Sequence, residues 1–525
     1  MDGSFKELDT QTDSAGSFGL IDRWIETCAK SHKSCQQTHA RRLPTRLLHV
    51  TRQDQNGSAL MVQLHETNTF PVTSGNTQYA ALSYCWGSFH WNAVHAYKLK
   101  DGTYQYLKNG IPSDKLPKTI QHAAYATLQL GLCWLWVDAL CIFQDSADDW
   151  AREAATMADV YRGSHITISA LGADSSNGGL FARRDALMYA PFPVAPQTDG
   201  VSICVYPAKA RDFIEPFRDF PLRKRGWVLQ ERVLSRRAVG FGPILSWECG
   251  ELVTDEFNFQ IDGWDEPLSM KFHKLLGRYG NTGPITDIAS PAAEEFYSFW
   301  LSMLKSFSRA GLHLKTDRLQ AISGVISVIQ SVTGWENVSG LWLPFITHEL
   351  LWKTSRSWQE GVFQDPRVRT GLPPTWSWIS IFGGVLGGLA SEAGDATQLA
   401  SATIHECEDN TVALRLSCAL LEGHFLLDDY PDGSQIRLYL QGLYTASFQA
   451  DFNQATTPKP PEYFVPVLAR KDGKGNPTVH GLGVRELKDA RGRYERVGYA
   501  YSKISTSIDK FRRTIEPQMS SIILV

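Results

Sequence analysis

Between Tyr79 and Gly87 the chain reads YAALSYCWG, and its alternate positions do not sort into one apolar and one polar set. Tyr79, Ala81, Ser83 and Cys85 would face one side of a strand, and Ala80, Leu82, Tyr84 and Trp86 the other, which predicts a strand covered on both faces, as in a parallel sheet. Gly87 permits a sharp exit, so Ser83, Tyr84 and Trp86 fall at the C-terminal end of the strand, where open α/β sheets form ligand crevices. Helical spacing follows in LPKTIQHAAYATLQLG. Pro117 suits a first turn, Ile120, Ala124, Thr127 and Leu128 recur on one stripe, and Gly131 stops it. CWLWVDALCI, from Cys133 to Ile142, predicts a second doubly covered strand with Asp138 out of place inside it. Residues 146 to 162 predict a helix with Trp150, Ala154, Met157 and Tyr161 on one stripe, and HITISALG at 165 to 172 a third strand. Strand, helix, strand, helix, strand with short links predicts an α/β fold, a parallel sheet flanked by helices joined by right-handed crossovers.

On either side of this block the pattern changes. Residues 1 to 18 are polar and read as a disordered tail. A helix is predicted over Ile21 to Cys35, followed by a basic loop with Arg41, Arg42 and Arg46. A hairpin pairs Leu47 to Gln53 with Ser58 to Leu64 around the QNG turn at 55 to 57. After Gly87 a polar and aromatic loop is expected as far as Lys115. Downstream, Ser202 to Tyr206 reads as a short strand, RGWVLQERVLS at 225 to 235 as a short helix, and 290 to 308 and 317 to 333 as longer helices. Alternation at Val412, Leu414, Leu416 and at Ile436, Leu438, Leu440 predicts antiparallel strands, with TTPKPP at 456 to 461 a loop. The expected organisation is therefore a tail (1–18), an N-terminal extension with helix and hairpin (19–78), the α/β domain (79–250) and a mixed α+β C-terminal region (251–525).

At 525 residues, the chain exceeds one compact core. A formal net charge of -3, with Arg223 to Arg225 as the densest basic patch, argues against nucleic-acid binding. The longest apolar stretch, Leu128 to Phe143, is broken by Asp138 and is too short to span a bilayer. The N-terminus lacks the order of a secretory signal. Nine scattered cysteines fit a reducing compartment, and a cytoplasmic location is expected. Cys28, His32 and Cys35 form C-x3-H-x2-C, which offers three ligands where a structural zinc site needs four, with His39 nearby. Ordinary packing on an amphipathic helix accounts for the same spacing, and no metal is expected. No G-x-G-x-x-G or P-loop is present, and Cys85 or Cys141 with His122 lacks a nucleophile motif.

Three blocks stand in order: YAALSYCWG, the long segment from LPKTIQ to HITISA, and RGWVLQERVLS followed by Trp247, Glu248 and Cys249. In this order and spacing, over Tyr79 to Glu231, the chain closely resembles the HET domain, named for heterokaryon incompatibility in filamentous fungi. C-x3-H-x2-C with LPTRLL upstream, and RLQAISG and PPTWSWIS downstream, resemble that family's usual setting. HET domains look remotely similar to TIR domains, some of which cleave NAD at the nicotinamide glycosidic bond, so the resemblance implies a TIR-like or flavodoxin-like core. Trp227, Leu229 and Glu231 in RGWVLQE are similar in order to a motif of enzymatic TIR domains, which makes Glu231 the candidate catalytic carboxylate. Ser83, Trp86, Asp138 and Trp227 are the candidate substrate-binding residues. NAD enters as a substrate, and no cofactor is expected. The resemblance implies non-self recognition and programmed cell death signalling, with self-association or other incompatibility proteins as partners. A non-catalytic interaction scaffold is the alternative. In that reading Trp227 packs the core, Glu231 pairs with Arg225 or Arg232 at the surface, and Asp138 binds loop amides or Arg225.

Overall fold

Tyr79 to Cys85 is buried throughout, with no residue above 5% exposed, because the strand it forms lies in the middle of a sheet. The computed structural model describes residues 9–36, 42–53, 59–70, 77–87, 97–185, 192–193, 204–205, 220–256, 266–354, 368–369, 374–387, 396–407, 411–427, 436–440, 444–450 and 461–525. The QNG turn, Arg41, His39 and residues 456–460 lie outside this set. Two units divide the chain, residues 1–281 with 320–325 and residues 282–319 with 326–525.

In the first unit the elements run α1 (Ala15–Ser31), β1 (Arg46–Arg52), β2 (Leu60–Glu66), β3 (Ala80–Ser83), α2 (Asp101–Asn109), β4 (Ile111–Pro112), α3 (Lys118–Gln129), β5 (Trp134–Trp136), α4 (Asp138–Cys141), α5 (Ala147–Gly163) and β6 (Ile166–Ala170). There follow β7 (Phe192–Pro193), β8 (Cys204–Val205), α6 (Gly226–Leu234), β9 (Arg237–Phe241), β10 (Leu245–Cys249), β11 (Val253–Asp255) and α7 (Leu268–Tyr279). Among the described residues nine strands form one sheet in the order β11-β10-β9-β6-β3-β5-β1-β2-β4. Neighbours within β5-β3-β6-β9 are parallel. The flanking pairs are antiparallel. The sheet is thus mixed rather than purely parallel: hairpins, which need only short turns, extend each side of the crossover-built centre.

Several boundaries move. The N-terminal hairpin is part of the main sheet, since β1 pairs with β5 through Leu48 and His49. Helix α1 starts at Ala15, capped by Ser14 Oγ accepting from Ser17 N, so a tail to residue 18 is too long. Arg46 is the first residue of β1 and buried, not part of a basic loop. Asn109 ends a helix inside the stretch read as loop, opened where Lys100 N donates to Thr103 Oγ1 at 2.9 Å. CWLWVDALCI is a strand only over Trp134–Trp136; Asp138 opens one helical turn, its Oδ1 accepting from Ala139 N at 2.7 Å. An apolar run of that length does not separate strand from buried helix by pattern. Of residues 202 to 206 only Cys204–Val205 is described, paired with Phe192–Pro193.

Gln320–Val325 belongs to the first unit and supplies Gly324, the last residue of RLQAISG. Its N–H donates to Gln230 Oε1 at 2.7 Å. An added Cβ would stand 2.6 Å from Ala158 Cβ and 2.8 Å from Gln230 Oε1. In an open helix Gly→Ala gains about 1 kcal/mol; here overpacking outweighs it, and Gly324→Ala is expected to destabilise by about 1–3 kcal/mol. An unchanged or raised thermal midpoint would contradict this.

The second unit contains helix Pro291–Phe307 and a sheet in which, among the described residues, ten strands take part. Val412–Ala419 and Ile436–Leu440 are antiparallel members of it, as the alternation predicts. The predicted helix at 317 to 333 is a 3-10 turn, Lys315–Arg318, followed by Gln320–Thr333. Trp342, Trp352, Trp376 and Trp378 are fully buried. The Arg496 guanidinium lies 3.5 Å over the Trp352 ring and donates to the Leu350 and Trp352 carbonyls. The two tryptophans of PPTWSWIS, Trp376 and Trp378, are therefore packing residues.

Candidate functional site

Ser83 ends β3, and its hydroxyl donates to Glu231 Oε2 from the last turns of α6. Glu231 is 7% exposed. Burial pushes its pKa up to about 7, against the opposing pull of the Arg225 charge and of hydrogen bonds from Ser83 and Tyr161, while Asp138 adds to the rise. The Tyr161 hydroxyl lies between this carboxyl and the Leu82 carbonyl, 3.3 Å away. Arg225, the residue preceding α6, donates to the Tyr84 carbonyl, which fixes the start of α6 against the end of β3.

A second carboxylate stands beside the first. Asp138 accepts from Trp86 Nε1 at 2.9 Å and from its own neighbour Ala139 N. Burial raises its pKa, and the Arg225 charge opposes the rise. The buried Lys98 Nζ lies 4.0 Å from the Trp86 ring centroid, a cation–π contact. Burial lowers the Lys98 pKa and Asp138 opposes the shift. Gly87, at φ +93°, lets the chain turn away: a Cβ there would meet Ser175 Cβ at 2.8 Å.

Ser83, Trp86, Asp138 and Glu231 thus come together around Arg225 at the C-terminal end of β3. The Trp227 ring packs edge-on to Trp150 of α5, with ring centroids 6.4 Å apart. Glu231 is not a surface partner of Arg232: Arg232 Nε donates to both oxygens of Glu248, at 2.9 and 2.6 Å, and Ser269 and Arg223 complete that network. Ser83 also borders a small cavity lined by Arg223, Arg232 and Glu248, with room for about one water molecule. His122 is occupied, its Nδ1 accepting from Leu180 N at 3.1 Å while its ring stacks on Phe181. Cys141 is fully buried with its thiol pushed up to about 12. Neither is poised as base or nucleophile.

Residues 79–231 match the family model of the heterokaryon incompatibility protein (HET). This segment is a HET domain. Its bounds run from Tyr79, just before β3, to Glu231 itself. Neither a curated protein nor a solved structure matches the chain. The HET domain suggests a role in heterokaryon incompatibility, and no helix among the described residues is long and apolar enough to cross a membrane. Within the HET segment the sequence pattern assigned no site role to Lys98 or Tyr161. Tyr84 directly follows β3, at the strand end where the pattern places it. Tyr161 sat on a helical stripe, and only the docking of α5 over β3 turns its hydroxyl toward Glu231.

Proposed function

We propose that the chain acts in fungal heterokaryon incompatibility as a signalling effector whose HET domain cleaves NAD at the nicotinamide glycosidic bond, with Glu231 as the catalytic carboxylate. The observation that carries this reading is the buried Glu231 at the end of β3, held by Ser83 and flanked by Arg225, Asp138 and Trp86. The parallel strands are ordered second-first-third-fourth along the sheet, the arrangement of flavodoxin-like sheets, whose ligands bind where the order reverses. That reversal lies between β3 and β6, beside Ser83.

In the reaction the bond between ribose and nicotinamide breaks, and its electron pair leaves with nicotinamide, which needs no proton. Positive charge develops on the ribose ring, a carboxylate at that point stabilises it, and water then adds and releases a proton. Only ionised Glu231 can serve. With its pKa near 7, cleavage should rise with pH between about 6 and 8.

A second reading, a non-catalytic interaction scaffold, is favoured by the cavity beside Ser83, which is too small for a nucleotide. Nicotinamide release from NAD by the concentrated, crowded chain separates the two. The expected result is release that falls at least about 100-fold in Glu231→Ala, the scale of losing a principal electrostatic stabiliser. Equal release from both proteins under self-associating conditions would leave the scaffold. The same assay examines self-association, the partner class this reading implies.

A further inference from the structure

C-x3-H-x2-C brings three ligands, and the fold sets beside them a fourth from more than 200 residues away. Cys28 lies in the last turn of α1, His32 ends that helix, and Cys35 closes the 3-10 turn Lys33–Cys35. Cys249 is the last residue of β10, on the antiparallel side of the sheet. The four ligand atoms all lie within 4.8 Å of one another, with Cys249 Sγ 3.3 Å from His32 Nδ1. A tetrahedral zinc with Zn–S bonds of about 2.3 Å sets its sulfurs roughly 3.8 Å apart, so small side-chain adjustments close the cage. We propose that Cys28, His32, Cys35 and Cys249 form a structural zinc site that clasps helix α1 and the turn after it to the end of β10.

The surroundings are built for such an ion. Cys28, Cys35 and Cys249 are at most 1% exposed, an arrangement typical of closed structural sites rather than of reactive thiols. Three thiolates and one neutral imidazole leave a zinc centre with one net negative charge, and Arg237 Nε donates to Cys28 Sγ at 3.2 Å, an outer-shell contact that orients the ligand and offsets that charge. Gly250 follows Cys249, and a Cβ there would stand 3.2 Å from Cys35 Sγ and 3.0 Å from His273 Cβ; the glycine lets the strand end approach this closely. Ser34 N donates to Glu251 Oε1 at 2.6 Å, joining the same two segments beside the cage. Soft sulfur donors with one imidazole select zinc over hard cations.

The experiment is metal analysis of the full chain purified under reducing conditions without chelator. About one zinc per chain is expected. Exchange with Co²⁺ should give the thiolate charge-transfer and visible bands of a tetrahedral site. Cys249→Ser should bind Co²⁺ at least about ten-fold more weakly, whereas Cys133→Ser, an exposed cysteine outside the cage, should not change it. If Cys249→Ser does not fold, the wild-type stoichiometry and cobalt spectrum decide alone. A metal-free wild-type chain lacking cobalt–thiolate bands, a disulfide among these cysteines by intact mass, or unaltered binding in a folded Cys249→Ser would each overturn the proposal.

Discussion

Arg46→Ala should destabilise the first unit by about 3–5 kcal/mol, the cost of removing one partner from a buried ion pair. Arg46 opens β1, and its side chain is 6% exposed against 4% for Asp149 in the first turn of α5. Its guanidinium donates to both oxygens of Asp149, at 3.1 and 2.5 Å, and to the Cys141 carbonyl at 2.6 Å. It stands over the Phe143 ring and lies 4.0 Å from Glu153. Without it, two carboxylates stay buried with no buried cation. Burial alone would raise the Asp149 pKa, but the Arg46 hydrogen bonds reverse this and hold it below the ordinary value. The pair's contribution is therefore present above the usual aspartate range and lost as pH falls through the lowered value. Arg46→Lys should lose less, keeping the charge but not the two-pronged geometry. Lys30→Ala, which breaks an exposed pair with Glu26, should change stability by no more than about 0.5 kcal/mol. Urea unfolding followed by tryptophan fluorescence checks the series. An Arg46→Ala midpoint as close to wild type as that of Lys30→Ala would sink it.

Glu231→Gln should stabilise the chain at alkaline pH even as it removes cleavage. Burial is the main reason its carboxyl holds a proton up to about 7. Between the ordinary glutamate value and about 7 the folded state keeps a proton that the unfolded chain has lost. The stabilising contribution is thus complete at low pH and disappears as pH rises through about 7. At about 1.4 kcal/mol per pH unit this amounts to roughly 3 kcal/mol. Glutamine, neutral throughout and still able to accept from Ser83, escapes the loss. The variant should match wild type near pH 5 and exceed it above pH 8 in thermal midpoint. Parallel curves would mean that Glu231 ionises freely, and with that the account of its burial would fail. A carboxylate that is costly to ionise in the resting fold is the kind of group whose charge a developing cation would draw out.

YAALSYCWG announced a strand buried on both faces, because no alternation survives where helices cover each side of a sheet, and Gly87 announced its exit. The helices over Lys118–Gln129 and Ala147–Gly163 and the strand at Ile166–Ala170 likewise followed from local periodicity, and Ser83, Trp86, Asp138 and Glu231 stand in the HET blocks. What local pattern could not carry was everything that depends on which distant segments meet. The sheet is mixed because hairpins from both flanks dock on it. Asp138 left its expected strand because an apolar run suits a buried helical turn equally well. Arg232 turned to Glu248 and Trp227 to Trp150 because the rotation of α6 is set by packing against its neighbours. The clearest case is Cys249: Cys28, His32 and Cys35 are written within one helical segment, but their fourth companion lies across the sheet, and only the return of β10 alongside α1 brings its sulfur within reach.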